Sequence, residues 1–153
     1  MPHATLIIFS LKFKSFIEFL ALSESLAHLA RAKGNAKSQV LADTLNRASE
    51  TLMENKKSPG LVVGELDNAG THVFETLYWA QELAKQNDDS DLKAKFSPVA
   101  QGLETKLDTI IEELKAAKGQ PMDIGGYFRP DAAKVAVAMR PSSTFNAILD
   151  GLS

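Results

Sequence analysis

The sequence predicts a mainly α-helical fold, with six or seven helices in one bundle-like unit and little strand. Apolar residues recur every three or four positions over most of the 153 residues, as they do on the buried face of a helix. Glycine, proline and asparagine residues separate these segments, as expected for short helix connections. A chain of this length is sufficient for one domain with its own core.

The composition excludes several classes of function. With 17 basic and 19 acidic side chains, the chain has a net charge of −2, which argues against binding to nucleic acid or an anionic membrane by bulk charge. The absence of cysteine excludes a disulfide framework, a thiolate metal site and a cysteine nucleophile, and it fits a reducing compartment. Only His3, His28 and His72 could supply an imidazole.

The N-terminal segment does not have the pattern of a targeting signal. Its apolar stretch begins at Leu6 and is interrupted by Lys12, Lys14 and Glu18. A secretory signal or a membrane span needs an uninterrupted apolar core. We therefore expect this segment to be a buried strand or the start of a helix.

Two helices are predicted before residue 55. The first begins near Ser15, ends at Gly34 and carries a wide apolar stripe: Phe16, Phe19, Leu20, Leu22, Leu26, Leu29 and Ala30. Asn35 can cap the second helix. The apolar residues of the second helix are Val40, Leu41, Leu45, Ala48 and Leu52.

The middle of the chain predicts an edge strand and a third helix. Leu61-Val62-Val63 is long enough only for an edge strand, and Thr71 can cap the helix that follows. The apolar residues of that helix are Val73, Phe74, Leu77, Tyr78 and Ala84.

The clearest helical periodicity follows that third helix. Steps of three and four residues join Leu92, Phe96, Val99, Leu103, Leu107, Ile110 and Leu114, which is the seam of a helical hairpin or bundle. Pro98 predicts a break into two helices, with Ser97 as the cap of the second. An irregular segment from Pro121 to Pro130 precedes a short helix at Asp131 to Met139 and a last helix capped by Ser142 or Ser143.

The turn from Gly64 to His72 is the first candidate site, because Glu65, Asp67 and Asn68 stand there before a helix. Backbone N–H groups at that helix start could hold an anion or a substrate. The alternative is a capped turn in which Asp67 or Asn68 accepts backbone hydrogen bonds, and the sequence favours this alternative.

Other polar clusters favour structural interpretations. The group Asp88, Asp89 and Asp91 lacks the spacing of a calcium loop and fits a helix N-terminus. Trp79 stands at helical spacing and fits a core better than a base-stacking platform. Arg129 and Arg140 could bind carboxylate or phosphate, but a helix cap or surface ion pair is the favoured role.

Ordered strings in the sequence indicate a family. They are Phe19-Leu20-Ala21-Leu22, Gly34-Asn35-Ala36-Lys37, Val40-Leu41-Ala42-Asp43-Thr44-Leu45, Lys57-Ser58-Pro59, Gly64-Glu65-Leu66-Asp67-Asn68, Tyr78-Trp79-Ala80, Asp123-Ile124-Gly125-Gly126-Tyr127, Met139-Arg140-Pro141-Ser142 and Thr144-Phe145-Asn146-Ala147. In this order they resemble the monomeric-type NADP-dependent isocitrate dehydrogenases, from about Leu11 to Asp150. A full-length member is several times longer, so the chain resembles its C-terminal portion.

The resemblance implies a fold and a reaction. The fold corresponds to the C-terminal part of the family's larger α/β domain. The reaction is oxidative decarboxylation of isocitrate to 2-oxoglutarate in the tricarboxylic acid cycle of a bacterial cytoplasm. NADP accepts the hydride, and Mg²⁺ or Mn²⁺ polarises the keto acid for loss of carbon dioxide. The family's catalytic and metal-binding residues lie outside the portion represented here, so we expect none of either kind in this chain.

The resemblance also implies that this portion contributes to the nucleotide site. Leu11-Lys12-Phe13-Lys14-Ser15 stands where members read Leu-Arg-Trp-Asp-Ser, so Lys12 replaces a nucleotide-binding arginine. Lysine keeps the charge but loses the guanidinium fork. Leu61 and Ala69 replace two further arginines. We therefore expect Lys12 to be the one cofactor-binding residue, with little useful NADP affinity in the chain alone.

The resulting interpretation divides the chain into an unrelated N-terminal segment, residues 1–10, and an isocitrate dehydrogenase-like helical region, residues 11–153. We expect a truncated, cytoplasmic chain that is inactive alone and exposes apolar surface. Its expected partners are a separately encoded N-terminal piece or a second copy of itself, and neither nucleic acid nor a membrane. The remaining alternative is a small-anion or nucleotide binder that uses Lys12, Lys14 and the turn.

Overall fold

The computed structural model describes residues 2–60 and 65–152, with side chains from residue 16 onward. This part of the chain contains six α-helices and no strand, so the mainly α class is confirmed. The helices are α1 (Pro2–Lys33), α2 (Ala36–Glu54), α3 (Asn68–Lys85), α4 (Ser90–Ala117), α5 (Ala132–Met139) and α6 (Ser143–Asp150). The edge strand predicted at Leu61-Val62-Val63 lies outside the described residues.

The chain divides into two compact units, Met1–Ala100 and Gln101–Ser153. The sequence predicts one bundle-like unit and does not reveal this division. The boundary falls inside α4, so no loop, glycine pair or polar linker marks it.

The first unit contains α1, α2, α3 and the first part of α4. α2 packs against both α1 and α3, and α1 also meets α3. The apolar residues buried in this unit are Phe19, Ala27, Ala30, Ala42, Leu45, Ala48, Leu52, Val73, Leu77, Ala80, Leu83, Val99 and Ala100. Because α2 lies between two partners, its leucines Leu45 and Leu52 are almost fully buried, each 1% exposed.

The inward face of α1 differs from the predicted stripe. Small residues at steps of four, four and three follow Phe19 along the buried face, namely Ser23, Ala27 and Ala30. Small side chains let two helices approach closely, and the Ser23 hydroxyl donates to Asn46 Oδ1 of α2 at 2.5 Å. The large residues of the predicted stripe that remain exposed are Leu20, Leu22 and Leu29.

The starts of α2 and α3 test two predicted caps. Asn35 caps α2 as predicted, since its side chain accepts from the Ser38 amide at 3.1 Å. Gly34 ends α1 with a φ of 63°, a conformation that glycine adopts without strain. The prediction of Thr71 as the α3 cap is wrong. Asp67 caps α3 four residues earlier, and the Thr71 hydroxyl donates to the Lys57 carbonyl at 2.8 Å.

Pro98 does not break α4, so the prediction of two helices with Ser97 as a cap is wrong. The Ser97 hydroxyl instead donates to the Lys93 carbonyl one turn earlier, at 2.7 Å. Proline removes one backbone donor from a helix and crowds the preceding turn. Buried residues follow at once, at Val99, Ala100 and Leu103.

The second unit contains the later part of α4, then α5 and α6. Leu103, Ile110 and Leu114 are its buried apolar residues. Ile148 of α6 lies where a side chain at Gly102 would touch it, at 3.5 Å, so α6 packs on α4 there. Ser142 is the cap of α6, and its side chain accepts from the Phe145 amide at 3.0 Å. No residue of α5 is buried.

Length and apolarity together also bear on membrane insertion. Among the described residues, no helix combines enough of both to span a bilayer.

Candidate functional site

The turn before α3 is held by hydrogen bonds within the chain. The Asp67 carboxylate accepts from the Gly70 amide at 2.8 Å, and the Gly60 amide donates to the Leu66 carbonyl at 2.6 Å. An added Cβ at Gly70 would lie 2.4 Å from Leu66 Cδ1, so the turn is closely packed. The carboxylate occupies the place that an anion would take at the helix start. The capped-turn interpretation is therefore confirmed.

His72 in the second turn of α3 is half-buried between helices. Its ring lies edge-on to Phe19, with 5.0 Å between the ring centroids. Its Nδ1 is 2.8 Å from the Asn68 carbonyl oxygen, and its Nε2 is 3.9 Å from a Glu18 carboxylate oxygen. These contacts give His72 a role in joining α1 and α3.

A buried carboxyl group lies between α2 and α3. Glu75 is 3% exposed, and the Ser49 hydroxyl donates to its Oε1 at 2.5 Å. Among the described residues, its Oε2 has no hydrogen-bond partner. Burial raises the pKa of the Glu75 carboxyl from 4.5 to about 7, and the Ser49 hydrogen bond opposes this shift. The group is a proton-binding element of the core rather than a solvent-facing acid or base.

Trp79 belongs to the same interface. Its indole Nε1 donates to Thr44 Oγ1 at 3.0 Å, and Thr44 is fully buried. The Thr44 hydroxyl in turn donates to the Val40 carbonyl at 2.7 Å. Trp79 is only partly buried, and its one donor is satisfied at the α2–α3 interface, which favours a packing role over a stacking platform.

The acidic cluster before α4 has the structural role that the sequence favours. Asp89 accepts from the Leu92 amide at 2.8 Å, as a helix cap does. The Lys37 ammonium lies 2.9 Å from Asp91 and 3.8 Å from Asp89. The hydrogen bond with Asp91 raises the pKa of Lys37. These pairs join α2 to the start of α4.

The two arginines of the second unit are at its surface. Arg140 is the cap residue at the end of α5, and its guanidinium lies 3.3 Å from an Asp150 carboxylate oxygen. This confirms the cap and ion-pair interpretation for Arg140. Arg129 is exposed in the loop before α5.

Glu113 organises the second unit. Its carboxylate accepts from the Ser142 hydroxyl at 2.6 Å, and from the Thr144 hydroxyl and amide at 2.7 and 3.1 Å. Ser143 donates a longer bond of 3.3 Å. The hydrogen bonds from Ser142 and Thr144 lower the pKa of the Glu113 carboxyl. One side chain of α4 thus secures the start of α6.

The expectations about a metal ion and about the cofactor have different outcomes. Within residues 16–60 and 65–152, no three histidine, aspartate or glutamate side chains group closely enough to hold a metal ion. These residues do not fit a divalent cation, and we derive no metal-dependent step from them. Lys12, the expected cofactor-binding residue, falls in α1, but its side chain lies outside the described part, so its role stays a prediction.

Sequence reasoning missed Glu75 and Glu113, although each had a partial signal. Ser49 stands on the apolar stripe of α2 between Leu45 and Leu52, and a polar residue there needs a buried partner. Glu113 stands three residues after Ile110 on the α4 seam. Their partners lie 26 or more residues away in sequence, so the pattern does not identify them.

Comparison with known proteins adds the family context. A family model described as monomeric isocitrate dehydrogenase matches residues 9–150. The chain is 51% identical over 143 residues to isocitrate dehydrogenase (NADP) 2 of Psychrobacter sp. (strain 13A), which covers 94% of this chain and 19% of that protein. It is 49% identical to isocitrate dehydrogenase (NADP) 2 of Colwellia maris and 47% identical to the Azotobacter vinelandii NADP enzyme. The chain spans about a fifth of the length of these relatives, 19% in each case.

Proposed function

Because the chain belongs to the monomeric isocitrate dehydrogenase family, we propose that it supplies the C-terminal helical region of an NADP-dependent isocitrate dehydrogenase. The reaction is oxidative decarboxylation of isocitrate to 2-oxoglutarate, as a step of the tricarboxylic acid cycle in a bacterial cytoplasm. One observation carries the proposal: identity of 51% over 94% of the chain to a relative named for this activity.

The proposal assigns catalysis to the rest of the enzyme. NADP and a divalent metal ion supply hydride acceptance and carbonyl polarisation when bound to the complete protein. The described residues of this chain contribute helix packing, with Glu75 and Glu113 as internal polar groups. On this basis the chain alone has no isocitrate dehydrogenase activity.

A fusion protein tests the assignment. The chain is joined to the part of the Azotobacter vinelandii relative that lies outside its match to this chain, and NADPH formation from isocitrate is followed with Mg²⁺ or Mn²⁺. We expect an active fusion and an inactive isolated chain. The relative's own complete chain is the control for assay conditions. An inactive, folded fusion beside an active control would refute the proposal.

Lys12 gives a prediction about the cofactor within the same fusion. If its ammonium contacts the nucleotide phosphate, Lys12→Ala raises KM for NADP by about tenfold, since a hydrogen bond to a charged group contributes roughly 1.5 kcal/mol or more. Lys12→Arg leaves KM for NADP unchanged or lowers it relative to the original fusion, because the guanidinium can form two hydrogen bonds with a phosphate. Lys14→Ala is the matched control for loss of one positive charge. Equal KM values for all variants would remove Lys12 from the cofactor site.

A further inference from the structure

The second unit presents exposed apolar residues on α5 and on the loop before it. Tyr127 and Phe128 in the preceding loop are 98% and 95% exposed. Along α5 the exposed residues include Val137 and Met139, at 71% and 76%. Together with Met122 these residues define what we call the α5 face. Aromatic and methionine side chains of this kind are enriched at the centres of protein interfaces.

The sequence of α5 itself indicates that a covering surface belongs there. Its eight residues, Ala-Ala-Lys-Val-Ala-Val-Ala-Met, carry one charge, and none is buried. A helix that is apolar on all sides is normally buried, and one this short gains most of its stability from packing. Open cavities of about 390 and 310 Å³ lie on two sides of α5, and Val137 lines both.

The loop before α5 is fixed by its own hydrogen bonds. The Asp131 amide donates to the Ile124 carbonyl at 2.7 Å, and the Gly125 amide donates to Asp123 Oδ1 at 2.8 Å. Gly125 has a φ of 80°, and an added Cβ there would lie 2.8 Å from Asp131 Cβ. The Lys134 ammonium of α5 pairs with Asp123. The aromatic residues therefore stand on an organised loop, which lowers the entropic cost of binding.

We propose that the α5 face is the docking surface for the part of an isocitrate dehydrogenase that this chain does not contain. The inference rests on the proposed function and names the surface through which this chain contacts the rest of the enzyme. The relatives match this chain over only 19% of their length, and the family match, residues 9–150, includes the α5 face. In a protein of that length, about four-fifths of the chain lies outside the match and is available to cover the α5 face. A second copy of this chain is the competing occupant of the α5 face. The family description, monomeric isocitrate dehydrogenase, favours the missing part of the enzyme over a second copy.

The test measures binding between two separate chains. The first is this complete chain, and the second is the tagged part of the Azotobacter vinelandii relative outside the match. Phe128→Asp and Val137→Asp each place a charge on the α5 face. Both positions are exposed, so the helical circular dichroism and melting temperature of the chain should not change. Thr109→Asp, at an exposed position of α4 in the same unit, is the matched control.

We expect the original chain and Thr109→Asp to bind the partner equally, and the two face variants to bind about 30-fold or more weakly, as for central interface residues. Equal binding by the face variants would overturn the inference. An active fusion protein would still support the proposed function in that case. An active fusion without binding between separate chains would also overturn the inference. A dimer of this chain that Phe128→Asp and Val137→Asp dissociate, without partner binding, would assign the face to self-association instead. An inactive fusion would refute the proposed function itself.

Discussion

Both compact units are helical, but they differ in how much of the apolar surface of their helices is buried. In the first, α2 lies between α1 and α3, and both of its neighbours bury apolar residues against it. In the second, α4 and α6 are joined through Glu113 and Gly102, whereas no residue of α5 is fully buried. The difference shows that apolar composition does not by itself place a helix in a core. A second surface must be present to cover it.

The largest expected effect tests the closed core of the first unit. Leu45→Ala should lower the free energy of unfolding by about 3 kcal/mol, because the removed methyl groups leave a cavity at a position that cannot relax into solvent. Leu45 is 1% exposed. Urea unfolding followed by helical circular dichroism measures the change. Leu29→Ala, at a 41% exposed position of α1, is the control and should cost much less. Equal losses for the two would contradict the burial difference.

The next effect concerns pH and the buried carboxyl of the first unit. The folded state raises the pKa of Glu75 from 4.5 to about 7, so it binds the proton more tightly than the unfolded state. This contribution is fully present below about pH 4.5 and is lost as pH rises to 7 and above. The corresponding change in unfolding free energy is up to about 3 kcal/mol.

Glu75→Gln should remove that pH dependence and stabilise the protein at pH 8 by about 2 kcal/mol, because no buried charge then forms. The unfolding free energy in urea at pH 5 and pH 8 gives the comparison. Glu50→Gln, at an exposed position of α2, removes the same charge and should leave the pH dependence in place. A Glu75→Gln protein with the original pH dependence would exclude Glu75 as its source.

A smaller effect is expected at the start of α6 in the second unit. Ser142→Ala removes both the bond to Glu113 Oε2 and the acceptor for the Phe145 amide. We expect a local cost of about 1–2 kcal/mol, as for loss of a helix cap with a buried partner. Hydrogen exchange of the α6 amides is the measurement. Ser143→Ala is the control, since Ser143 is exposed and its bond to Glu113 is 3.3 Å. Faster exchange in both variants alike would argue against the cap.

The smallest effect is expected on the α5 face. Phe128→Ala should change the unfolding free energy by less than about 0.5 kcal/mol, the range for exposed sites, since its ring is 95% exposed. Thermal unfolding by circular dichroism is sufficient to measure it. A loss comparable with that of Leu45→Ala would show that Phe128 is covered in solution.

Local rules predicted much of this fold. Gly34 ends α1 and Asn35 caps α2, and both features depend on contacts within four residues. They can therefore be predicted from the sequence. The buried positions of α2 at Leu45, Ala48 and Leu52 followed from one clear stripe. The cap of α3 was misplaced because Asp67 and Thr71 are both good cap residues, and the Lys57 carbonyl engages Thr71.

The remaining features depend on contacts that sequence spacing does not specify. α1 is apolar on several sides, so periodicity could not show that Ser23 and Ala27 would face α2. α4 continues through Pro98, although a proline at that position predicts a break. The Ser49–Glu75 pair needs two helices to be positioned first. The role of Lys12 rests on resemblance and stays a prediction.

The position of Trp79 means that tryptophan fluorescence comes from the first unit alone. The sequence contains one tryptophan, and its indole donates to buried Thr44 in the first unit. Of the two tyrosines, Tyr78 belongs to the first unit and Tyr127, 98% exposed, belongs to the second. Indole emission therefore reports on the α2–α3 interface of the first unit. Emission from Tyr127 would respond when another chain covers the α5 face.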